Sequence, residues 1–304
     1  MQSGKLGINY TPFNMAASLI NGKMVAAELR AALKAKCSSF KRLPKLAAVI
    51  VGDRPDSATY VRMKVRACEE VGIESAVVRL GVDIGQKEME TEVGRLNDDP
   101  GVDGILIQLP LPSHLDERRL LESVDPSKDV DGFHASHLGL VAMGATKGIP
   151  ISCTPKGIMT LLDYYGVNLE GKEVVVVGRS AIVGTPVALL AMRRSATVTM
   201  CHSRTKDLPS HLGRADVVIA ACGQPKMIQG EWLKPGAVVI DVGINQVDAP
   251  ETKRGTRLVG DVDFEKASKV ASLITPVPGG VGPMTVASLL ENVVEAYQRR
   301  NSDA

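Results

Sequence analysis

The sequence predicts an α/β protein of two domains, each built on a mostly parallel sheet covered by helices, with a ligand cleft between them. Three observations predict it. Apolar, β-branched runs recur at 46–51, 104–109, 173–177, 196–201, 216–221, 237–242 and 273–277. Helical patterns fill most of the gaps, at about 17–36, 57–72, 86–98, 155–166, 184–194 and 283–298. Strands apolar on both faces that alternate with helices are the signature of a buried parallel sheet. Finally, 304 residues suffice for two cores without disulfides or metals.

The stretch 132–153 is rich in Gly and small residues and shows no strand pattern, so the crossing between domains is expected near its end. This divides the chain into 15–153 and 154–282. A closing helix at 283–299 carries Val286, Leu289, Leu290, Val293 and Val294 on one face and is expected to return to the first half. Residues 1–14 read as an extension and are left out of the fold argument.

Composition narrows the function. A formal net charge of +2 with dispersed basic residues gives no electrostatic footprint for nucleic acid or an anionic membrane. Cys37, Cys68, Cys153, Cys201 and Cys222 are odd in number, scattered and without zinc-ligand spacing, as expected of reduced thiols in a cytosol-like compartment. The five histidines lack metal-ligand spacing and read as turn or surface residues. No apolar segment approaches the roughly 20 residues that span a bilayer. A soluble, cytoplasmic protein without a resident metal is the expectation.

The run 174–177 is followed by Gly178, Arg179, Ser180, Ala181, Ile182, Val183, Gly184, Thr185 and Pro186 before a helix. Strand, glycine turn, helix aims free backbone N–H groups and a helix dipole at a pyrophosphate. Ser180 stands where a second glycine would complete the dinucleotide fingerprint, so a plain tight turn fits the loop as well. About 20 residues on, where NAD sites carry a ribose-binding carboxylate, the chain reads Cys201, His202, Ser203, Arg204 and Thr205. A hydroxyl and a guanidinium there, with Arg179 from the loop, suit a 2′-phosphate and favour NADP in a Rossmann-like half. The alternative is that both arginines are solvated surface charges.

In the other half, Ser57 is a candidate cap for a helix that stacks Tyr60 and Lys64 at i and i+4. Neither helical neighbour of Lys64, Tyr60 or Cys68, offers a carboxylate, so a dry site would lower its proton affinity. A snorkelling lysine on a helix flank has the same pattern. Gln108 ends an apolar strand and needs partners, from a ligand or from backbone. Asp129 and Asp131 form either an acidic turn or a carboxylate facing paired N–H donors, and no oxygen-rich loop suggests a metal. The segment from Thr275 to Thr285, with three prolines and three glycines, is a stiff loop whose bare backbone can approach a flat ligand.

Five segments together resemble the bifunctional methylenetetrahydrofolate dehydrogenase/cyclohydrolase family, from about Ser18 to Arg299. They are VGDRPDSATYVRMK from Val51, GILIQLPLP from Gly104, KDVDGF from Lys128, GRSAIVGTP from Gly178 and TPVPGGVGPMT from Thr275. The resemblance implies that Lys64 is the essential lysine of the hydrolytic step, assisted by Gln108. It implies that Tyr60 stacks on the aminobenzoyl ring and that Asp131 grips the pterin-like ring. Ile107, Leu109, Pro278, Gly279, Gly280, Val281 and Gly282 complete the implied substrate set. The implied cofactor set is Gly178, Arg179, Ser180, Ile182, Val183, Ser203, Arg204, Cys222, Gly223, Ile244 and Thr285.

From the resemblance follow NADP-dependent oxidation of 5,10-methylenetetrahydrofolate, hydrolysis of the methenyl product to 10-formyltetrahydrofolate, a homodimer, and a place in one-carbon metabolism and purine biosynthesis. Relatives commonly carry Asn and Arg where this chain has His137 and Leu140, and Pro where it has Ser152. Alternatives are a dehydrogenase without hydrolysis, a silent NADP-binding module and a shikimate-type dehydrogenase; the last does not explain the loop from Thr275.

Overall fold

The computed structural model describes residues 17–252 and 255–301, so the 1–14 extension lies outside the described residues. Two parallel sheets carry the fold. The smaller is built from β2 (Lys45–Val51), β3 (Glu74–Leu80) and β4 (Gly104–Ile107) in the order β3-β2-β4. Both faces of β2 are buried, which is why its sequence is apolar without alternation. Leu46, Ala48 and Ile50 face a core shared with α1 (Gly22–Cys37) and α2 (Pro55–Val71). Ala47, Val49 and Val51 face α3 (Gln86–Asp98) and α4 (Glu117–Glu122).

The larger sheet has the order β1-β11-β8-β7-β5-β6, from β1 (Ser18–Leu19), β5 (Glu173–Val177), β6 (Thr197–Cys201), β7 (Val217–Ala220), β8 (Val238–Asp241) and β11 (Leu273–Ile274). Every pairing in it is parallel. Because β5 is flanked by β6 on one side and β7 on the other, the chain reverses direction across the sheet there, and a crevice opens at the carboxyl ends of β5 and β7. A hairpin, β9 (Asn245–Asp248) with β10 (Thr256–Val259), stands beside it.

The helices α5 (Ala135–Ala142), α6 (Cys153–Tyr164), α7 (Gly184–Arg193), α8 (Leu208–Leu212), α9 (Phe264–Ala267) and α10 (Val281–Asn301) complete the chain. α10 works for both halves. Its first turns place Val281, Met284 and Ala287 in the core that holds Val174, Ile219 and Ile240. Further along, Leu289, Leu290, Val293 and Val294 close the core of Leu46 and Ile50. α10 begins at Val281, two residues earlier than the sequence pattern suggests.

Several boundaries differ for physical reasons. The run 104–109 ends as a strand at Ile107 and the run 273–277 at Ile274, because Pro110, Pro112, Pro276 and Pro278 lack the N–H a ladder requires. The helix expected from 57 starts at Pro55, a residue favoured in a first turn, so Ser57 is buried inside that turn rather than capping it. The stretch 132–153, which shows no strand pattern, contains α5. The segment expected as helix from 17 opens with β1, which joins the larger sheet before α1 begins. No helix among the described residues is long and apolar enough to cross a membrane.

Candidate active site

Two cavities meet between the sheets and share Lys64, Thr154 and Thr285 in their walls. The larger, about 600 Å³, is mostly apolar. Its walls are the α2 face with Tyr60 and Lys64, the segment 241–244, and the loop 276–283. The smaller, about 140 Å³, lies at the carboxyl end of β4 and includes Ile107, Gln108, Leu109 and Asp131.

Lys64 reaches the junction because α2 carries it one turn beyond Tyr60, and Tyr60 stays 42% exposed with its ring on the larger cavity. The Lys64 Nζ donates to Gln108 Oε1 at 3.1 Å. Gln108 in turn donates its Nε2 to the Leu109 carbonyl at 2.7 Å. That second bond fixes which end of the amide is oxygen, so the oxygen faces the lysine. Lys64 is half-buried, and its Nζ lies at the wall common to the two cavities.

The acidic segment separates by tertiary contact. Lys128 is buried, and its Nζ donates to the carbonyls of Leu96, Asn97 and Asp99 at the end of α3. Asp129 accepts from the Gly132 and His134 N–H groups. His137, read from sequence as a turn or surface residue, is buried in α5, with Nε2 3.0 Å from the Pro126 carbonyl and 3.7 Å from Asp129 Oδ2. Only Asp131 opens on the cavity. Its carboxyl is pushed up to about 6 by burial, opposed by the Lys64 ammonium and reinforced by Asp129. The thiol of Cys153 lies 4.0 Å from Asp131 Oδ1 and is itself raised well above its ordinary value by burial.

The loop from Thr275 is pinned at both ends. Thr275 Oγ1 accepts from the Asp241 N–H at 2.7 Å, and the Gly279 carbonyl accepts from the Lys23 N–H at 3.1 Å. Pro278, Gly279, Gly280, Val281 and Gly282 all line the larger cavity, Val281 and Gly282 as the first turn of α10. Ile244 lies opposite, 47% exposed. Asp241 also lines this cavity; its carboxyl is pushed up to about 6 by burial although the Gly243, Asp261 and Val262 N–H groups donate to it.

Gly178, Arg179, Ser180, Ser203, Arg204, Cys222 and Gly223 line neither cavity. They lie at the carboxyl edge of the larger sheet, while Ile182 and Val183 of the same loop reach the smaller cavity. Gly178 has φ +131°, and a Cβ there would stand 2.1 Å from the Ala221 carbonyl oxygen. Ser180 Oγ accepts from the Val183 and Gly184 N–H groups where α7 begins. Arg179, Ser203 and Arg204 are exposed, and neither guanidinium forms an ion pair with a described residue. This edge fits a dinucleotide phosphate: a bare backbone turn, a helix start free of acids and two available guanidinium groups. Cys222 and Gly223 differ, because Asp261 already accepts their N–H groups, with that of Gln224 and the Asn245 amide.

Residues not anticipated from sequence include Thr154, whose hydroxyl meets that of Thr285 at 3.0 Å, and Lys23, Phe133 and Asp241. Asp241 carried the same signal that singled out Gln108, a polar residue ending an apolar strand. Thr154 and Lys23 carried none.

Residues 20–131 match the family model described as tetrahydrofolate dehydrogenase/cyclohydrolase, catalytic domain, and residues 152–301 the model for its NAD(P)-binding domain. The chain is 52% identical over 287 residues to Bifunctional protein FolD 4, chloroplastic, of Arabidopsis thaliana, covering 93% of this chain and 80% of that one. Two solved structures are similar over nearly their whole length. Bifunctional FolD from Campylobacter jejuni has TM-score 0.89 at 45% identity, covering 93% of this chain and 100% of that one. The Trypanosoma brucei enzyme, complexed with NADP cofactor and inhibitor, has TM-score 0.90 at 41% identity, covering 94% and 98%.

Proposed function

The chain belongs to the tetrahydrofolate dehydrogenase/cyclohydrolase family, and from that premise we propose that it oxidises 5,10-methylenetetrahydrofolate with NADP⁺ and hydrolyses the methenyl product to 10-formyltetrahydrofolate. The observation that carries the second activity is the Lys64–Gln108 contact at the junction of the two cavities. NADP⁺, when bound, accepts the hydride. Gly178, Arg179, Ser180 and Ile182 to Val183 would hold it, with Ser203 and Arg204 on the 2′-phosphate and Ile244 and Thr285 toward the folate side; Cys222 and Gly223 would contribute surface rather than N–H donors.

The folate occupies the larger cavity. Tyr60 and the flat backbone of 278–282 sandwich its aromatic part, and Asp131 accepts from N–H groups of the bicyclic ring at the floor of the smaller cavity, between Ile107 and Leu109. Loss of hydride leaves a methenyl cation beside Lys64. Water adds to the cationic carbon, one proton is released, and the C–N bond on the ring side breaks to leave the 10-formyl product. Lys64 holds the water and relays its proton. Gln108 keeps the amine directed by accepting one of its N–H bonds, so that the remaining donors face the substrate.

We further infer a cytoplasmic homodimer that serves purine biosynthesis, with the chain dividing near residue 153. The homodimer and the metabolic place rest on the resemblance, the location on the unpaired cysteines, and the division on the family-model bounds at 131 and 152. The deciding experiment follows reduced nicotinamide from methylenetetrahydrofolate with NADP⁺ and NAD⁺ in parallel, then assays 10-formyl product. Oxidation without 10-formyl release would reduce the protein to a dehydrogenase, and equal use of NAD⁺ would overturn the roles of Arg179, Ser203 and Arg204.

A further inference from the structure

The Asp131 carboxylate is held by little of its own. Among the described residues its one hydrogen-bond partner is the Cys153 thiol at 4.0 Å. Its direction must therefore come from the backbone that carries it. The loop is tied on one side to β4, through the Ile105 N–H to the Lys128 carbonyl at 2.7 Å and a parallel bridge between Ile105 and Asp129. On the other side it meets α10 at Asn292, a fully buried amide.

Every polar atom of Asn292 is engaged. Nδ2 donates to the Val130 carbonyl at 2.8 Å and to the Ile151 carbonyl at 2.9 Å. Oδ1 accepts from Lys156 Nζ at 3.0 Å. Reversing the amide would set its oxygen against two carbonyls and its NH₂ against an ammonium, so one orientation survives. Lys156 is fixed in turn: its other donors go to Glu291 and Glu295, both at 3.0 Å. The Val130 carbonyl belongs to the same rigid peptide plane as the Asp131 N–H. Fixing that carbonyl fixes the plane from which the Asp131 side chain departs.

We propose that Asn292, oriented by Lys156, is a positioning residue that sets the Val130–Asp131 peptide and thereby aims the Asp131 carboxylate at the folate. The proposal rests on the folate reading of the site. A residue that merely stabilises α10 would change the amount of folded enzyme; a positioning residue changes what the folded enzyme does with its substrate. The charged and titratable groups facing Asp131 are Lys64 from α2, Asp129 from its own loop and Cys153 from α6, and α10 presents only the neutral amide.

The test compares the full-length wild type with Asn292→Asp, which keeps the shape but removes both donors and adds a negative charge, and with Lys156→Met, which releases the amide. For Asn292→Asp, KM for methylenetetrahydrofolate is expected to rise about tenfold or more at neutral pH, as for a mis-set bond to a charged group. KM for NADP⁺ is expected to stay, kcat to change far less than the folate KM, and the pH midpoint of that KM to move up. Lys156→Met should shift the same quantities in the same direction by less, and calorimetry with tetrahydrofolate should show the same weakening. Wild-type folate KM and pH midpoint in both variants, or activity lost only in proportion to folded protein, would overturn the proposal. A wild type that fails to turn over methylenetetrahydrofolate would instead overturn the reading of the site.

Discussion

Lys64 Nζ and Gln108 Oε1, separated by 44 residues of sequence, meet at 3.1 Å where a helix of the smaller sheet crosses the end of that sheet's strand. The contact joins α2 to the end of β4 across the wall of the smaller cavity, beyond the core that Leu106 shares with Val61 and Cys68. Lys64→Met keeps the apolar stem and removes the donor, so 10-formyl release is expected to fall by at least about 10²-fold. Calorimetry should find NADP⁺ affinity unchanged, and thermal melting should show a stable fold. An unaltered hydrolysis rate would remove Lys64 from the mechanism.

The buried acid next to it predicts a trade between stability and binding. Asp131 titrates near 6 in the fold against about 3.9 in an unfolded chain. The folded state therefore holds its proton more tightly. The resulting penalty is absent below the unfolded value, grows between roughly pH 4 and 6, and is complete above the folded value. Asp131→Asn should stabilise the ligand-free protein by roughly 3 kcal/mol at pH 8 and by little at pH 4, while folate affinity falls. Melting temperatures at the two pH values, with folate KM alongside, check both signs.

At the turn after β5, Gly178→Ala would drive a methyl group to 2.1 Å from the Ala221 carbonyl at a φ that side chains avoid. The expected loss is about 2 kcal/mol or more of stability, together with a raised KM for NADP⁺. Denaturant unfolding and initial rates report the two effects separately.

Preference between cofactors follows from the end of β6. Ser203→Asp supplies a carboxylate suited to ribose hydroxyls and repels a 2′-phosphate. The ratio of kcat/KM for NADP⁺ over NAD⁺ is expected to drop about 100-fold, and about tenfold for Arg204→Ala, which deletes one charge-assisted contact. Parallel rate measurements with both nucleotides decide it.

How far the chain could be read without coordinates depended on where each signal was local. β2 and β5 were legible because a strand buried on both faces writes an unbroken apolar run. β3 was not: it is an edge strand, open on part of its surface, with Glu74 and Arg79 interrupting the pattern. Lys128 and Asp131 were indistinguishable in sequence because the carbonyls that hold Lys128 lie 29 to 32 residues away at the end of α3, and the cavity that Asp131 opens on is walled by distant segments. Cys222 and Gly223 enter the cofactor set by the resemblance alone, and nothing local shows that their N–H groups are occupied, since the Asp261 carboxylate that accepts them lies 38 or more residues away.

β1 pairs with β11, and α10 fills the cores of both sheets. A ribosome making this chain releases the residues of the smaller sheet long before the helix that seals them, and the first strand waits more than 250 residues for its neighbour. The half made first must therefore stay open, a ready substrate for chaperones, until α10 emerges. The seam between the two family-model regions is accordingly a poor place to cut: a fragment ending between residues 132 and 151 lacks the segment that closes its own core.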